Sequence, residues 1–195
     1  MKLNCNSFFD EDFEYLNLNQ FYLENKDKIK DTKDPSQIQS ALDFLGKNNT
    51  YGGYGEDRKD IWKGTYMDET KNYIHLGIDI NVKSGTPIKC PFDAKCVDIF
   101  TDTDEKIGWG GRMILISNEY SPYLVLGHIN PKSFNIKNSF VKDEIIGKVG
   151  TWPTNGNTFN HLHVQTIYNI DWNNFDGYGN LNDLKNNPNP FEIDF

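Results

Sequence analysis

The chain has 195 residues, a length that suits one domain with a full hydrophobic core. Hydrophobic residues make up 37% of it and charged residues 25%, a balance that excludes wholesale disorder. Its formal net charge of −8 argues against nucleic acid or an anionic membrane surface as the main partner.

Residues 1–48 are predicted to form a short helical N-terminal segment. One helix should begin after Asp34, whose side chain can cap it, with Pro35 in the first helical position and Gln37 closing a capping box. Gly46 can end that helix. Apolar residues at roughly helical spacing also occur earlier in the segment, namely Phe8, Phe9, Phe13, Leu16 and Phe21.

Residues 49–195 have the pattern of β structure. Short apolar runs separated by glycine, proline and asparagine turns predict strands over 74–82, 87–90, 95–100, 112–117, 123–128, 145–149 and 161–168. No helical run lies between them, so we predict a mainly β fold, an antiparallel sheet or sandwich. The tail from residue 169 is rich in Asn, Asp and Gly and is predicted to be irregular.

The four histidines of the chain all lie in this β part, at His75, His128, His161 and His163. A spacing of two places His161 and His163 on the same face of a strand, whereas a helix would separate them by about 200°. This pair therefore makes chemical sense only if a strand carries it.

Asp79 follows His75 by four residues. On a straight strand the two would be about 13 Å apart, too far to bind one ion through bonds of about 2 Å. The chain must bend between them, and Gly77 is the residue that permits a bend. Either cluster alone is as consistent with ordinary polar packing as with metal binding, but their conjunction about 85 residues apart is more specific.

The motifs around these residues resemble, in order, those of the lysostaphin-like zinc endopeptidases, which cut cross-bridges and stem peptides of peptidoglycan. The resembling stretches are residues 75–80, 84–88, 91–94, 108–116, 126–129, 141–149 and 160–165. The resemblance covers about residues 73–167 and implies a lysostaphin-like peptidase domain over 49–195.

The resemblance also implies roles for individual residues. His75, Asp79 and His163 would bind one zinc ion per chain, with water in the fourth position. His128 and His161 would lie beside the metal, one deprotonating the attacking water and both able to stabilise the intermediate or protonate the leaving amine.

The resemblance therefore implies a zinc metalloendopeptidase that hydrolyses a peptide bond in peptidoglycan. Two alternatives remain: a zinc amide or peptide hydrolase of the same fold with an intracellular substrate, and a non-catalytic binding module. The complete set of ligands and auxiliary histidines argues against the last. Tyr66 and Tyr73 are candidates for the tyrosine that often assists catalysis in this family, but neither lies in a matching motif.

The start of the chain and its cysteines bear on location. Met1–Ser7 lacks the apolar core of a secretory signal, and no stretch reaches the roughly 18 apolar residues needed to span a bilayer. Three cysteines fit a reducing compartment better than a disulfide framework. We therefore expect a cytoplasmic protein, or an extracellular or cell-wall protein if a leader has been removed. The oligomeric state stays open.

Overall fold

The computed structural model describes residues 1–65, 67–102, 108–118, 121–172 and 175–195. Its α-helices are α1 (Leu18–Glu24), α2 (Pro35–Phe44), α3 (Lys59–Trp62) and α4 (Met67–Thr70). Its strands are β1 (Glu14–Tyr15), β2 (Thr50–Gly52), β3 (Ile74–His75), β4 (Ile78–Asn81), β5 (Pro87–Lys89), β6 (Ala94–Thr101), β7 (Gly111–Ile116), β8 (Tyr123–Ile129), β9 (Ser139–Phe140), β10 (Ile145–Lys148), β11 (His161–Ile167) and β12 (Tyr178–Gly179). None of the helices in these ranges has the length and apolar character that a bilayer span requires.

Eight strands form one sheet in the order β1-β2-β4-β11-β8-β7-β6-β9. Neighbours are antiparallel except for β1 and β2, which are parallel. Two small antiparallel pairs, β5 with β10 and β3 with β12, complete the β structure. The predicted mainly β fold with an antiparallel sheet is confirmed. Every predicted strand occurs within one residue of its expected ends, although the first is split into β3 and β4.

The main core lies on one face of the large sheet and follows the alternation of its strands. On β11, Leu162 and Val164 point into this core, while His161, His163 and Gln165 lie on the opposite face. All seven residues of β11 are buried because the strand lies between β4 and β8 and both of its faces are covered.

The helix predicted after Asp34 is present as α2. The Asp34 carboxylate accepts a hydrogen bond from the N–H of Ser36 at 3.0 Å. At the other end Gly46 has φ +66°, and the N–H of Lys47 reaches back to the carbonyl of Leu42 at 2.8 Å. This left-handed ending is the one that glycine favours, so both predicted ends of the helix are correct.

The capping box predicted for Gln37 is not formed. Its Oε1 instead accepts hydrogen bonds from the backbone N–H groups of Lys30 and Asp31, at 2.8 and 3.1 Å. Gln37 therefore holds the loop that precedes α2 rather than closing the first turn of the helix.

The helical spacing of the early apolar residues is confirmed only in part, because Phe21 lies in α1 but the apolar residues before Leu18 do not. Phe8 and Phe9 lie outside the α-helices and are buried in the main core, with 0% and 2% of their surface exposed. Apolar spacing over so few residues is weak evidence for a helix, and packing in the main core determined the conformation here. The boundary at residue 48 stays a prediction.

A second hydrophobic cluster forms on α1, α2 and α3. We call it the helical cluster, and its buried members are Leu18, Phe21, Ile29, Ile38, Ala41, Leu42, Ile61 and Phe159. Phe159 comes from the β part of the chain and directly precedes the residues that lead into β11. The helical segment is thus packed against the part of the sheet that carries the His-x-His pair.

Candidate metal centre

The pairing of β11 with its two neighbours places His163 at the middle of the sheet. Its Cα partner on β4 is Asp79 and its partner on β8 is Gly127. Paired residues of antiparallel strands present their side chains on the same face, which brings His163 and Asp79 together. A Cβ on Gly127 would lie 2.6 Å from the Trp109 ring, so glycine leaves room for that indole.

The chain bends between His75 and Asp79, as the sequence required. The break between β3 and β4 brings Nε2 of His75 to 3.3 Å from Oδ1 of Asp79. Gly77 does not supply a left-handed conformation here. It is needed for close approach, because a Cβ would lie 2.6 Å from Nε2 of His163 and 2.7 Å from the carbonyl oxygen of Val164.

Three side chains converge on one point and could hold a metal ion: His75, Asp79 and His163. Nδ1 of His163 lies 3.1 Å from Nε2 of His75 and 3.1 Å from Oδ1 of Asp79. With the His75–Asp79 distance of 3.3 Å, the three atoms form a nearly equilateral triangle. Ligand atoms of a tetrahedral zinc site with bonds of about 2.0–2.1 Å are about 3.3 Å apart. The donor set and its spacing therefore fit a zinc ion.

The remaining ring nitrogen of His163 is held by an amide. Its Nε2–H donates to Oε1 of Gln165 at 2.9 Å, while the Gln165 amino group donates to Oδ1 of Asn187 at 2.8 Å and to the Asp176 carbonyl at 3.2 Å. Because the amino group of Gln165 donates to these two acceptors, the amide oxygen must face His163, and Nε2 of His163 must carry the proton. Nδ1 of His163 is then unprotonated, and its lone pair points toward the cluster.

His75 has no equivalent support. Among the described residues its Nδ1 is buried without a hydrogen-bond partner. Gly53, at φ +106°, closes this side of the ring, and a Cβ there would lie 2.6 Å from that nitrogen. His75 is thus held by packing rather than by an acceptor.

The other two histidines lie beside this cluster. Nδ1–H of His161 donates to the carbonyl of Phe159 at 3.0 Å, and Nδ1–H of His128 donates to the carbonyl of Asn155 at 2.7 Å. In His128 this bond leaves Nε2 as a lone-pair acceptor, whereas Nε2 of His161 lies 3.3 Å from Oδ1 of Asp79. The rings of His128 and His161 are 4.4 Å apart.

His128 owes its position to an irregularity in the sheet. The register of β7 against β8 shifts between Gly111 and Met113, and His128 has φ +62°. A bulge of this kind turns a side chain out of the normal alternation. A left-handed conformation costs about 1–2 kcal/mol for a residue other than glycine.

A buried ion-pair network lies behind the cluster, and no pattern in the sequence predicted its pairings. Nη1 of Arg58 donates to Oδ2 of Asp79 at 2.6 Å and to the hydroxyl of Tyr178 at 2.8 Å, while its Nε donates to Glu56 at 3.1 Å. Arg58 is only 2% exposed. It therefore fixes the Asp79 oxygen that faces away from the two histidines.

Burial and charge set the protonation of the cluster. Burial, with the nearby Arg58 cation, lowers the pKa of His75 to about 3, so this imidazole is neutral at pH 7. Burial also lowers the pKa of His128, and its histidine neighbours add to the effect. Burial alone would raise the pKa of Asp79, but His75, His161 and Arg58 outweigh it and hold the pKa well below its usual value. Neutral imidazoles and a carboxylate are the forms that bind metal.

A cavity of about 520 Å³ opens beside the cluster. His75, His128, His161 and His163 all line it. Its other walls come from the helical side and from loops of the β part, among them Lys33, Trp62, Trp109, Phe159 and Tyr178. The arrangement places the proposed ligands and the two auxiliary histidines at one accessible surface.

Tyr73, one of the two tyrosines that the sequence singled out, does not lie at the cluster. The hydroxyl of Tyr73 donates to Asp68, away from the histidines. Tyr66 lies outside the described residues. The tyrosine at the site is Tyr178, whose ring centroid is 5.0 Å from that of His75. It lies in the tail that composition marked as irregular, so only its pairing through β12 could have revealed it.

A model of the family described as Peptidase family M23 matches residues 73–176, just over half of the chain. The match includes all four histidines and Asp79. No curated protein sequence matches the chain significantly.

Several solved structures are similar to parts of the chain. The catalytic domain of the antimicrobial peptidase lysostaphin from Staphylococcus simulans is 24% identical over 69% of this chain and 88% of that one, with a TM-score of 0.47. LytU is 27% identical over 49% of this chain and 63% of that one, with a TM-score of 0.40. A zinc-containing peptidase from Vibrio cholerae is 18% identical over 48% and 27%, with a TM-score of 0.40. The chain thus spans less than two thirds of the last two.

Proposed function

The chain belongs to peptidase family M23, and on that premise we propose that it is a zinc-dependent metallopeptidase that cleaves peptide bonds of peptidoglycan cross-bridges or stem peptides. The observation that carries the proposal is the triangle of donor atoms from His75, Asp79 and His163, with edges of 3.1–3.3 Å. Two imidazoles and one carboxylate match the ligand sets of catalytic zinc sites.

In this proposal His75, Asp79 and His163 hold one zinc ion per chain. When bound, zinc would supply Lewis-acid polarisation of the scissile carbonyl and would lower the pKa of water toward neutrality. The histidines of the cluster line the cavity, so a peptide bound in the cavity lies beside the ligand set.

His128 and His161 move protons in this reaction. The Nδ1–H of each ring is committed to a backbone carbonyl, and Nε2 of His161 lies 3.3 Å from the Asp79 carboxylate. One Nε2 accepts the proton of the attacking water. The ring that gains this proton donates a hydrogen bond to the oxyanion and then delivers the proton to the leaving amine, with the other ring beside it. The bulge at His128 and the stacking of Phe159 on His161, with ring centroids 4.5 Å apart, position these rings.

The first experiment measures the zinc content of the purified protein by plasma mass spectrometry. We expect about one zinc per chain for the wild type and a loss of zinc in His75→Ala and Asp79→Asn. Asp98→Asn is the matched control, because Asp98 is a strand carboxylate that pairs with Arg112, outside the cluster. A wild-type chain that takes up no zinc when it is supplied would contradict the proposal.

The second experiment compares purified peptidoglycan with a panel of glycine-containing and D-alanine-containing peptides. We expect release of new amino groups from peptidoglycan by the zinc-loaded protein and none by His163→Ala. Cleavage of the peptides without digestion of peptidoglycan would favour a hydrolase with a different substrate. A zinc-loaded protein that cleaves neither would favour a binding module.

A further inference from the structure

One wall of the cavity is built by residues outside the family match. The matched region is 73–176, whereas Lys33, Trp62 and Gly64 also line the cavity. The helical cluster supports this wall, because Trp62 packs against it and Lys33 lies in the loop between α1 and α2. The wall is thus a feature that this chain adds to the histidine-bearing surface.

The loop that carries Lys33 is fixed by its own hydrogen bonds. Besides the two bonds that its neighbours donate to Gln37, the Lys33 N–H donates to the Asp31 carboxylate at 3.0 Å. On either side the loop is anchored by Ile29 and Ile38, which are 1% and 2% exposed. The backbone of Lys33 is therefore held while its side chain is exposed at the cavity.

Lys33 is also a cation of this cavity that is available to a ligand. Among the described residues, the charged side chains other than histidine that line the cavity are Lys33, Arg58 and Asp176. Arg58 is committed to Asp79 and Glu56. Within the described ranges no carboxylate lies at ion-pair distance from the Lys33 ammonium.

We propose that Lys33 binds a carboxylate of the substrate and makes the enzyme prefer peptides that carry one close to the scissile bond. This inference rests on the proposed peptidase function and names the substrate class of the same site. An ammonium group offers three hydrogen-bond donors, and its bonds to a carboxylate are about twice as strong as neutral ones. The carboxylate can be the free end of a short peptide or an acidic side chain.

The test uses four acetylated peptides in two matched pairs. The first pair is triglycine with a free carboxylate and triglycine amide. The second is the amides of glycyl-glutamyl-glycine and glycyl-glutaminyl-glycine. Each is tested for hydrolysis by the zinc-loaded protein and, with zinc removed by a chelator, for binding through quenching of tryptophan fluorescence, since Trp62 and Trp109 line the cavity.

We expect kcat/KM to be about tenfold higher for the acidic member of one pair, because its KM is lower while kcat is unchanged. The acidic peptide should also bind about tenfold more tightly in the fluorescence measurement. Lys33→Met should abolish the preference and Lys33→Arg should retain part of it. Lys30→Met is the control and should change nothing, because Lys30 is an exposed lysine of the same loop that does not line the cavity. Which pair shows the preference identifies the source of the carboxylate.

The outcomes separate this inference from the proposed function. Hydrolysis without a carboxylate preference, or a preference that survives in Lys33→Met, overturns the role of Lys33 and leaves the peptidase intact. Binding that depends on Lys33 without hydrolysis of these peptides supports the carboxylate site, and the peptidoglycan digestion then decides the peptidase separately. A result with neither hydrolysis nor binding of the acidic peptides overturns the carboxylate site.

Discussion

The large sheet and the helical cluster contribute to the site in different ways. The sheet places His163, Asp79 and His161 on paired central strands, where each is 2–3% exposed and its position follows from strand register. The helical cluster contributes the exposed Lys33 and the ring of Trp62, held by loops and packing. On the proposed function, the rigid sheet would carry the catalytic residues and the neighbouring surface would select the substrate, a division found in other scaffolds with loop-borne specificity.

The largest expected effect that separates the two regions comes from His128→Asn. Asparagine tolerates the left-handed backbone that His128 adopts at φ +62°, so the fold should persist. Loss of the Nε2 base should lower kcat by about 10²–10⁴-fold. Zinc content measured on the same sample should stay at one per chain, because His128 is not in the ligand triangle. A variant with near wild-type kcat would show that another group moves the proton.

A mutation in the helical cluster should act on stability instead. Leu42 is 1% exposed within that cluster, and Leu42→Ala should lower the free energy of unfolding by about 2–5 kcal/mol. Urea denaturation followed by circular dichroism measures the change. Where the variant is still folded, we expect zinc content to be unchanged and KM to rise as the Lys33 wall loosens. Loss of zinc in the folded variant would mean that the two regions are not separable.

The smallest of the three effects tests the support of the metal ligand. Gln165→Leu removes the acceptor of His163 Nε2–H while keeping a side chain of similar size. Loss of such a supporting bond typically weakens metal binding by about 10–100-fold, which competition with a zinc-sensitive dye measures. Gln165→Glu keeps the acceptor and should bind zinc more tightly than Gln165→Leu. Equal affinities would assign the orientation of His163 to packing alone.

The sequence predicted the sheet-borne half of the site better than the rest. The spacing of two between His161 and His163, and the glycine between His75 and Asp79, encode local geometry that strand periodicity exposes. Even there, Gly77 was expected to permit a bend, whereas the structure requires glycine because His163 approaches it closely. That contact joins residues far apart in the chain, so local spacing could not predict it.

The remaining parts of the site depend on tertiary contacts that leave no periodic signal. Arg58 meets Asp79 across 21 residues and Tyr178 across 120. Phe8 and Phe9 show the opposite error, because their spacing suggested a helix although burial against the sheet decided their conformation. Local sequence patterns predict strands and helix ends. The walls of the cavity and the partners in ion pairs depend on how the whole chain packs, so such patterns do not predict them.

The buried Arg58 has a consequence for how the enzyme would mature. Glu56 and Asp79 are both buried carboxylates, and the single guanidinium of Arg58 pairs with each of them. On the proposed function, this pairing would let the chain fold around the unfilled ligand set, unlike small zinc modules whose folding waits for the ion. Zinc would then bind to a chain that is already folded, so its uptake would follow the zinc supply of the surroundings.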